Sequence, residues 1–413
     1  MSAVQVYSET GELEGVLLHP PGPEVENMTP KNAERALYSD ILNLSVARRE
    51  YNQLECLLQK LTPSFRVMDL LKDILRSSEI REKIVKKACY NEGHPKLIDS
   101  LLELNETQLA KQLVQGVPLE RNTLSGFMSD DYFSLRPLHN FFFTRDASIA
   151  LGDRVLISRM ANRVRDREAL IMQAIFDYHP RFRVQTVNPG EKTDHELLSI
   201  EGGDLLVAAK HITLVGLSSR TSSKGIDFLI RMFSARKEQH HILVQEMPSS
   251  PESFIHLDMT FTLLDSDSCM VYEPLILKSN KYQTIQIDVD NGKVVSIRNV
   301  ENLLKALTQL GMDLKPSFCG GQKDTMTQER EQWHSGANFF AVGPGKLIGY
   351  NRNVHTLENL NQSGYEIIKS RDVIDGKVDP ASTPKYVITI DGAELSRGGG
   401  GVRCMTMPFK RKM

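Results

Sequence analysis

Leu395-Ser396-Arg397-Gly398-Gly399-Gly400-Gly401-Val402-Arg403-Cys404-Met405-Thr406-Met407-Pro408, close to the C-terminus, is the stretch around which the rest of the chain is read. Four consecutive glycines free the backbone for positive φ or for close approach to a ligand, and they lead into one cysteine preceded by Arg397 and Arg403. A thiol of ordinary pKa, about 8.5, is mostly protonated at neutral pH, so a nucleophilic Cys404 needs positive charge, backbone N–H groups or a cationic substrate beside it. The two arginines are the nearest candidates for that charge. Taken alone, the cysteine is equally a small buried residue behind a flexible loop. Two reactive loops are excluded. Gly401 is followed by Val402 and Arg403, where a phosphate-binding loop needs Lys and then Ser or Thr. Lys410 stands six residues after the thiol, where a cysteine phosphatase loop would place arginine. The partners of Cys404 must therefore come from upstream.

The 413 residues carry a net charge of -2, 40% hydrophobic and 25% charged residues, which describes a globular chain without the basic surface that nucleic acid demands. Five scattered cysteines, Cys56, Cys89, Cys269, Cys319 and Cys404, form no CxxC pair. Reduced thiols in a cytoplasmic compartment are expected, and no structural zinc site. The first twelve residues resemble neither a signal peptide nor an anchor, and no later run is long enough to span a membrane.

Periodicity predicts strands over Leu13 to Leu18, Phe65 to Met68, Arg154 to Ser158, Ile212 to Leu217, Met270 to Leu277, Lys346 to Tyr350 and Val387 to Ile390. Thr29 and Pro30 mark a helix start, and Asn32 to Leu61 reads as one amphipathic helix or a broken pair. Further helices are expected over Arg167 to Tyr178 and Ser223 to Arg236. Between 72 and 129 the pattern turns wholly helical, with Glu79 to Cys89, Pro95 to Leu104 and Glu106 to Val114 separated by turns. This predicts a mixed α/β body formed by 1–71 and 130–413 with a small helical insertion. No internal sequence repeat is detectable.

Three acidic motifs sit beside strand-like runs: Asn140 through Asp146 (NFFFTRD), Glu201-Gly202-Gly203-Asp204, and His256-Leu257-Asp258. Singly, each is as well explained by a turn or a helix cap. His256 and Asp258 are close enough in sequence to raise metal binding, but no second histidine stands at ligand spacing, and no metal is expected.

Jointly, in this order and ending in a Gly-rich loop with cysteine before Met-Thr-Met-Pro, these motifs resemble the arginine deiminases of the guanidino-group-modifying superfamily. The resemblance extends to Met28-Thr29-Pro30, Leu37, Met160 to Glu168, Gly216 to Ser222 and Glu329-Arg330-Glu331-Gln332-Trp333. It implies a five-bladed pseudo-symmetric α/β propeller with the site at its centre, the segment 72–129 being an insertion typical of arginine deiminases. It further implies Cys404 as nucleophile, His256 as general acid and base, and Asp146 and Asp258 holding a substrate guanidinium beside Glu201. Arg165 and Arg220 would meet the substrate carboxylate near Asn140, with Gly398 and Leu37 also at the substrate and Asp204 fixing its neighbours. A planar guanidinium suits such carboxylates, since it offers five donors in a rigid fork. The implied reaction is hydrolysis of L-arginine to citrulline and ammonia through a thiouronium on cysteine, without cofactor, by a homo-oligomer (dimer or tetramer) with no nucleic-acid or membrane partner. An amidinotransferase on the same scaffold and a non-catalytic arginine-binding protein are the alternatives.

Overall fold

Five times along the chain one unit recurs: an antiparallel pair of strands, a helical crossover, and a third strand parallel to the second. Ser148–Leu151 pairs with Arg154–Ile157, and helix Asp166–Tyr178 leads to Thr186–Val187. Leu205–Ala209 pairs with Ile212–Leu217, and helix Ser223–Ser234 leads to His240–Glu246; this sheet is then extended by the hairpin Thr284–Asp290 and Lys293–Val300. Phe261–Leu263 and Ser268–Val271 are followed, after further helices, by Lys315–Phe318. Phe340–Gly343 and Lys346–Tyr350 are joined by Tyr386–Ile390, with Glu366–Lys369 on the outer edge. The fifth unit is made from both chain ends. Met407–Arg411 pairs antiparallel with Leu13–Leu18, and helix Leu44–Leu61 leads to the parallel strand Ser64–Arg66. This computed structural model describes residues 3–34, 37–191 and 198–413.

The local causes are ordinary ones. Helix Leu44–Leu61 starts where the Asn43 side chain accepts the Val46 N–H, and it buries Ala47, Tyr51, Leu54, Leu57 and Leu58 along one face. Strands such as Ile212–Leu217 are buried at nearly every position, as a strand covered on both faces requires. In the helical segment, Glu106–Gln115 begins in a reciprocal cap between Asn105 and Gln108. Its Leu109 and Leu113 share one apolar core with Leu71, Val85, Ile171 and Met172, so these helices bury their inner faces against the α/β body.

Several sequence expectations change. The stretch from 32 to 61 takes the second of its two expected forms, a broken one: a single turn Pro30–Ala33, then helix Leu44–Leu61. The strand expected over Phe65 to Met68 is Ser64–Arg66, because Val67, Leu70, Leu71 and Ile74 recur at helical spacing and bury one face of helix Val67–Ile74. The strand expected to reach Leu277 stops at Val271, and Pro274 lies in the first turn of the helix Glu273–Ile276, where its missing N–H is tolerated. No helix among the described residues is long and apolar enough to cross a membrane.

Leu54 is fully buried among the apolar side chains beneath the cysteine loop. Leu54→Ala is expected to cost about 2–5 kcal/mol, read as a lower urea midpoint at unchanged slope.

Candidate active site

Each unit enters its first strand through a tight turn, and each of these turns carries one polar side chain into the same interior. Asp146 lies in Thr144–Ala147 ahead of Ser148–Leu151, and Glu201 directly precedes the turn Gly202–Asp204 and strand Leu205–Ala209. Asp258 lies in Leu257–Met259 ahead of Phe261–Leu263, Asn338 stands two residues before Phe340–Gly343, and Cys404 three before Met407–Arg411. All five are at most 3% exposed.

The sulfur of Cys404 lies 3.6 Å from Asp258 Oδ2. His256 Nε2 is 3.0 Å from Glu201 Oε2, and its Nδ1 is 3.8 Å from Asp146 Oδ1. Burial alone would strip the imidazole of its proton, but the carboxylates of Asp146, Glu201 and Asp204 outweigh it and raise the His256 pKa to about 9. His256 is therefore an imidazolium at neutral pH. Burial works against the Glu201 carboxylate as well, yet the His256 hydrogen bond and the Arg220 and Arg165 charges hold its pKa down to about 2. The ring can sit this close only because residue 203 is glycine: a Cβ there would lie 2.4 Å from His256 Nδ1. Asp204 accepts the Leu257 N–H at 2.9 Å and the Ser218 hydroxyl at 2.6 Å, fixing the chain on either side of the histidine and of Arg220.

Of these groups Asp146, His256 and Cys404 border a cavity of about 350 Å³, lined also by Leu37, Asn140, Phe143, Arg165, Arg220, Trp333, His334 and Gly398. Arg165 donates to Asp146 at 2.7 Å, to Glu168 through Nε and Nη2, and to the Asn140 carbonyl, so most of its donors are engaged before any ligand enters. Arg220 is more open and lies 3.7 Å from Glu201. Asp146, Glu201 and His256 each offer one atom within 4.8 Å of the others, a geometry a metal could use. Two guanidinium groups already flank that acidic cluster, however, and Asp146 Oδ2 and His256 Nε2 are already engaged, which disfavours a further divalent cation.

Of the two arginines expected to supply charge, Arg403 does lower the thiol pKa but is outweighed, and Arg397 plays no part. Arg397 sits at the cavity rim, donating to Asp40 at 2.9 and 2.6 Å and to Glu394 at 2.9 Å. Arg403 is buried and spent on Glu9 at 3.0 and 3.1 Å, Asp258 at 2.7 Å and the Leu205 carbonyl at 2.7 Å. Burial, and after it the Asp258 and Asp146 carboxylates, push the Cys404 thiol well above its usual pKa. Of the four glycines only Gly399 uses positive φ, at 83°; Gly400 is needed for proximity, since a Cβ there would meet the Phe143 ring at 2.5 Å.

Sequence reading missed Glu9, Asn338 and Glu50. The Glu50 carboxylate accepts the backbone N–H groups of Ala393, Glu394 and Leu395, holding the start of the cysteine loop. Only the position ahead of each first strand would have pointed to Asn338, and that position is invisible without the fold.

The architecture first defines a class. The chain shares its fold with an amidinotransferase of the saxitoxin biosynthetic pathway from Microseira wollei, at 13% identity over 100% of this chain and 98% of that one, TM-score 0.56. It does so too with the N-terminal domain of an arginine dihydrolase from the ornithine-ammonia cycle in cyanobacteria, at 12% identity over 97% and 98%, TM-score 0.53. That likeness is one of fold; by sequence, this chain belongs to the arginine deiminase family, whose model matches residues 34–411. A relative named arginine deiminase from Bacillus cereus is 32% identical over 99% of this chain and 98% of its own. Another of that name, from Oenococcus oeni, is 29% identical over 100% and 98%.

In the ligand-free protein, carboxymethylation of Cys404, followed by mass spectrometry, is expected to be slow at neutral pH and to keep accelerating above pH 9. Asp258→Asn removes a repelling charge and should move the profile to lower pH. A midpoint near about 8.5 in the unsubstituted protein, unmoved by the substitution, would contradict the raised thiol pKa.

Proposed function

We propose that this protein is an arginine deiminase, hydrolysing L-arginine to L-citrulline and ammonia through a covalent adduct on Cys404. The observation that carries the reading is the buried acidic cluster beside the thiol: Asp146 Oδ1 has no hydrogen-bond partner among the described residues, in a cavity it shares with Cys404 and His256. A buried carboxylate oxygen needs a donor, and a guanidinium supplies donor, charge and electrophilic carbon together.

In this reading the substrate cation, seated against Asp146 and Asp258, lowers the raised thiol pKa, the thiol gives its proton to solvent as the substrate enters, and the thiolate attacks the guanidinium carbon. The His256 imidazolium then protonates the departing nitrogen, releasing ammonia and leaving a thiouronium on sulfur. The neutral imidazole next takes a proton from water; the resulting hydroxide adds to the same carbon, and collapse expels the Cys404 thiolate and the ureido product. Arg220, with Asn140, Gly398 and Leu37 nearby, receives the amino-acid end. Arg165 lines that end and, through its pair with Asp146, aligns the carboxylate. No step needs a metal or organic cofactor.

The five repeated units support five blades of a pseudo-symmetric propeller around this site, with the helices of 72–129 inserted between the blade that ends at Ser64–Arg66 and the one that begins at Ser148–Leu151. Free thiols at all five cysteines suit a reducing cytoplasm. The exposed Leu124, Phe127, Met128 and Tyr132 would give a dimer or tetramer an apolar surface to bury.

Incubation with L-arginine alone should yield equimolar citrulline and ammonia, unaffected by chelators and abolished in Cys404→Ala. Mass spectrometry of the quenched reaction should find the adduct on Cys404. An adduct on Cys269 or Cys319, or turnover only when an amine acceptor is added, would replace this reading, the latter with an amidinotransferase. Agmatine lacks the carboxylate and loses charge-assisted bonds worth about 1.5–3 kcal/mol each, so its kcat/KM should fall by roughly 10-fold or more. Arg220→Leu should narrow the gap between the two substrates, and equal kcat/KM for both in the unsubstituted protein would show that the carboxylate is not read.

A further inference from the structure

The turn ahead of the first strand carries Asp146, Glu201, Asp258 and Cys404 in four of the five units, and Asn338 in the remaining one. Asn338 is 2% exposed, and every hydrogen bond its side chain makes is to two of its four counterparts or to the residue beside one of them. Its backbone N–H donates to the Ser335 carbonyl at 3.0 Å, and its side-chain Oδ1 accepts the backbone N–H of Arg403 at 2.9 Å and of Cys404 at 3.2 Å. Its Nδ2 donates to the Asp258 carbonyl at 3.1 Å.

A second tie runs in parallel, from the Arg403 side chain to Asp258 Oδ2 at 2.7 Å. The turn that bears the sulfur is thus joined to Asp258 twice, once through an amide and once through a guanidinium. Strand pairing supplies neither link: the Phe261–Leu263 and Met407–Arg411 strands belong to different sheets. The amide also leaves no spare room, since a Cβ on Gly401 would lie 2.6 Å from the Asn338 side chain.

We infer that Asn338 is a positioning residue for the reaction: its side-chain amide sets the spacing between the Cys404 thiol and Asp258. Asparagine is suited to this because one side chain offers an acceptor to two N–H groups and a donor to a carbonyl. Leucine could fill the space but would leave two buried N–H groups and a carbonyl unpaired. Aspartate keeps the acceptor and loses the donor. The inference rests on Cys404 being the nucleophile of the proposed reaction. Failure of that reading would appear as absence of turnover in the unsubstituted protein, whereas failure of this inference appears only in the variants.

Asn338→Ala and Asn338→Asp are made in the full-length chain and assayed for kcat and KM with arginine. Thermal melting and the pH profile of Cys404 carboxymethylation in ligand-free protein are measured alongside. Displacing a nucleophile by about 1 Å costs on the order of 100-fold, so Asn338→Ala should lose roughly that in kcat while KM stays within about threefold. Its alkylation profile should move to lower pH, because the sulfur is no longer held against Asp258. Asn338→Asp, nearly isosteric, should stay folded, fail to restore kcat, and serve alone if the alanine variant does not fold. Full kcat in Asn338→Asp would overturn the inference by showing the tie to Asp258 to be dispensable. So would a folded Asn338→Ala with an unmoved alkylation profile, or a loss confined to KM.

Discussion

Taking five carboxylates, a histidine and a thiol out of water in one small space is the constraint on which the structure turns. A buried charge without a partner costs several kcal/mol, and here every acid in the group is matched. Arg165 lies between Asp146 and Glu168, Arg403 between Asp258 and Glu9, and His256 between Glu201 and Asp146. The matching is nearly complete, and the incompleteness is local: Asp146 Oδ1 and His256 Nδ1, 3.8 Å apart, have no hydrogen-bond partner among the described residues, and both residues line the cavity. The empty site therefore holds an excess of negative charge, which keeps the thiol protonated until a cation arrives. In the proposed reaction, attraction for the substrate and activation of Cys404 then have the same electrostatic source.

That arrangement reaches far along the chain. Glu9 is 394 residues from Arg403, yet it is what balances a guanidinium that would otherwise neutralise Asp258. With burial opposing it, the Arg403 charge still holds the Glu9 pKa to about 2, so the pairing is maintained throughout the neutral range. The N-terminal strand Leu13–Leu18 pairs with the C-terminal strand Met407–Arg411 just past the cysteine, which places Glu9 within reach. Joining the chain ends in one sheet is thus part of how the site keeps its charge. The roof is built by the same logic of satisfied groups: Glu50 takes up three backbone N–H groups of the loop, and Arg352 donates to Gly392, Ala393 and Ser396. A glycine-rich segment that reads as flexible is pinned from below.

The sequence by itself determined a good deal. Strand and helix positions with clear periodicity, such as Leu13–Leu18, Ile212–Leu217 and Ser223–Ser234, follow from local apolar spacing and end caps. The acids of the three motifs, His256 and Cys404 were legible as a group because their order along the chain is itself a family signature, and the family assignment followed from it. Tertiary structure alone decided the rest. Whether Arg403 activates the thiol or serves Asp258 depends on Glu9, a contact between opposite ends of the chain that no local pattern encodes. Whether Arg165 is free for a ligand depends on Glu168 and Asp146 folding against it. Asn338 carries no motif at all; it acquires meaning only as the counterpart, in its own sheet, of the residues that flank the cavity. Periodicity records which face of an element is buried, whereas the charge and reach of a buried polar group are set by whatever is packed opposite, and that partner comes from elsewhere in the chain.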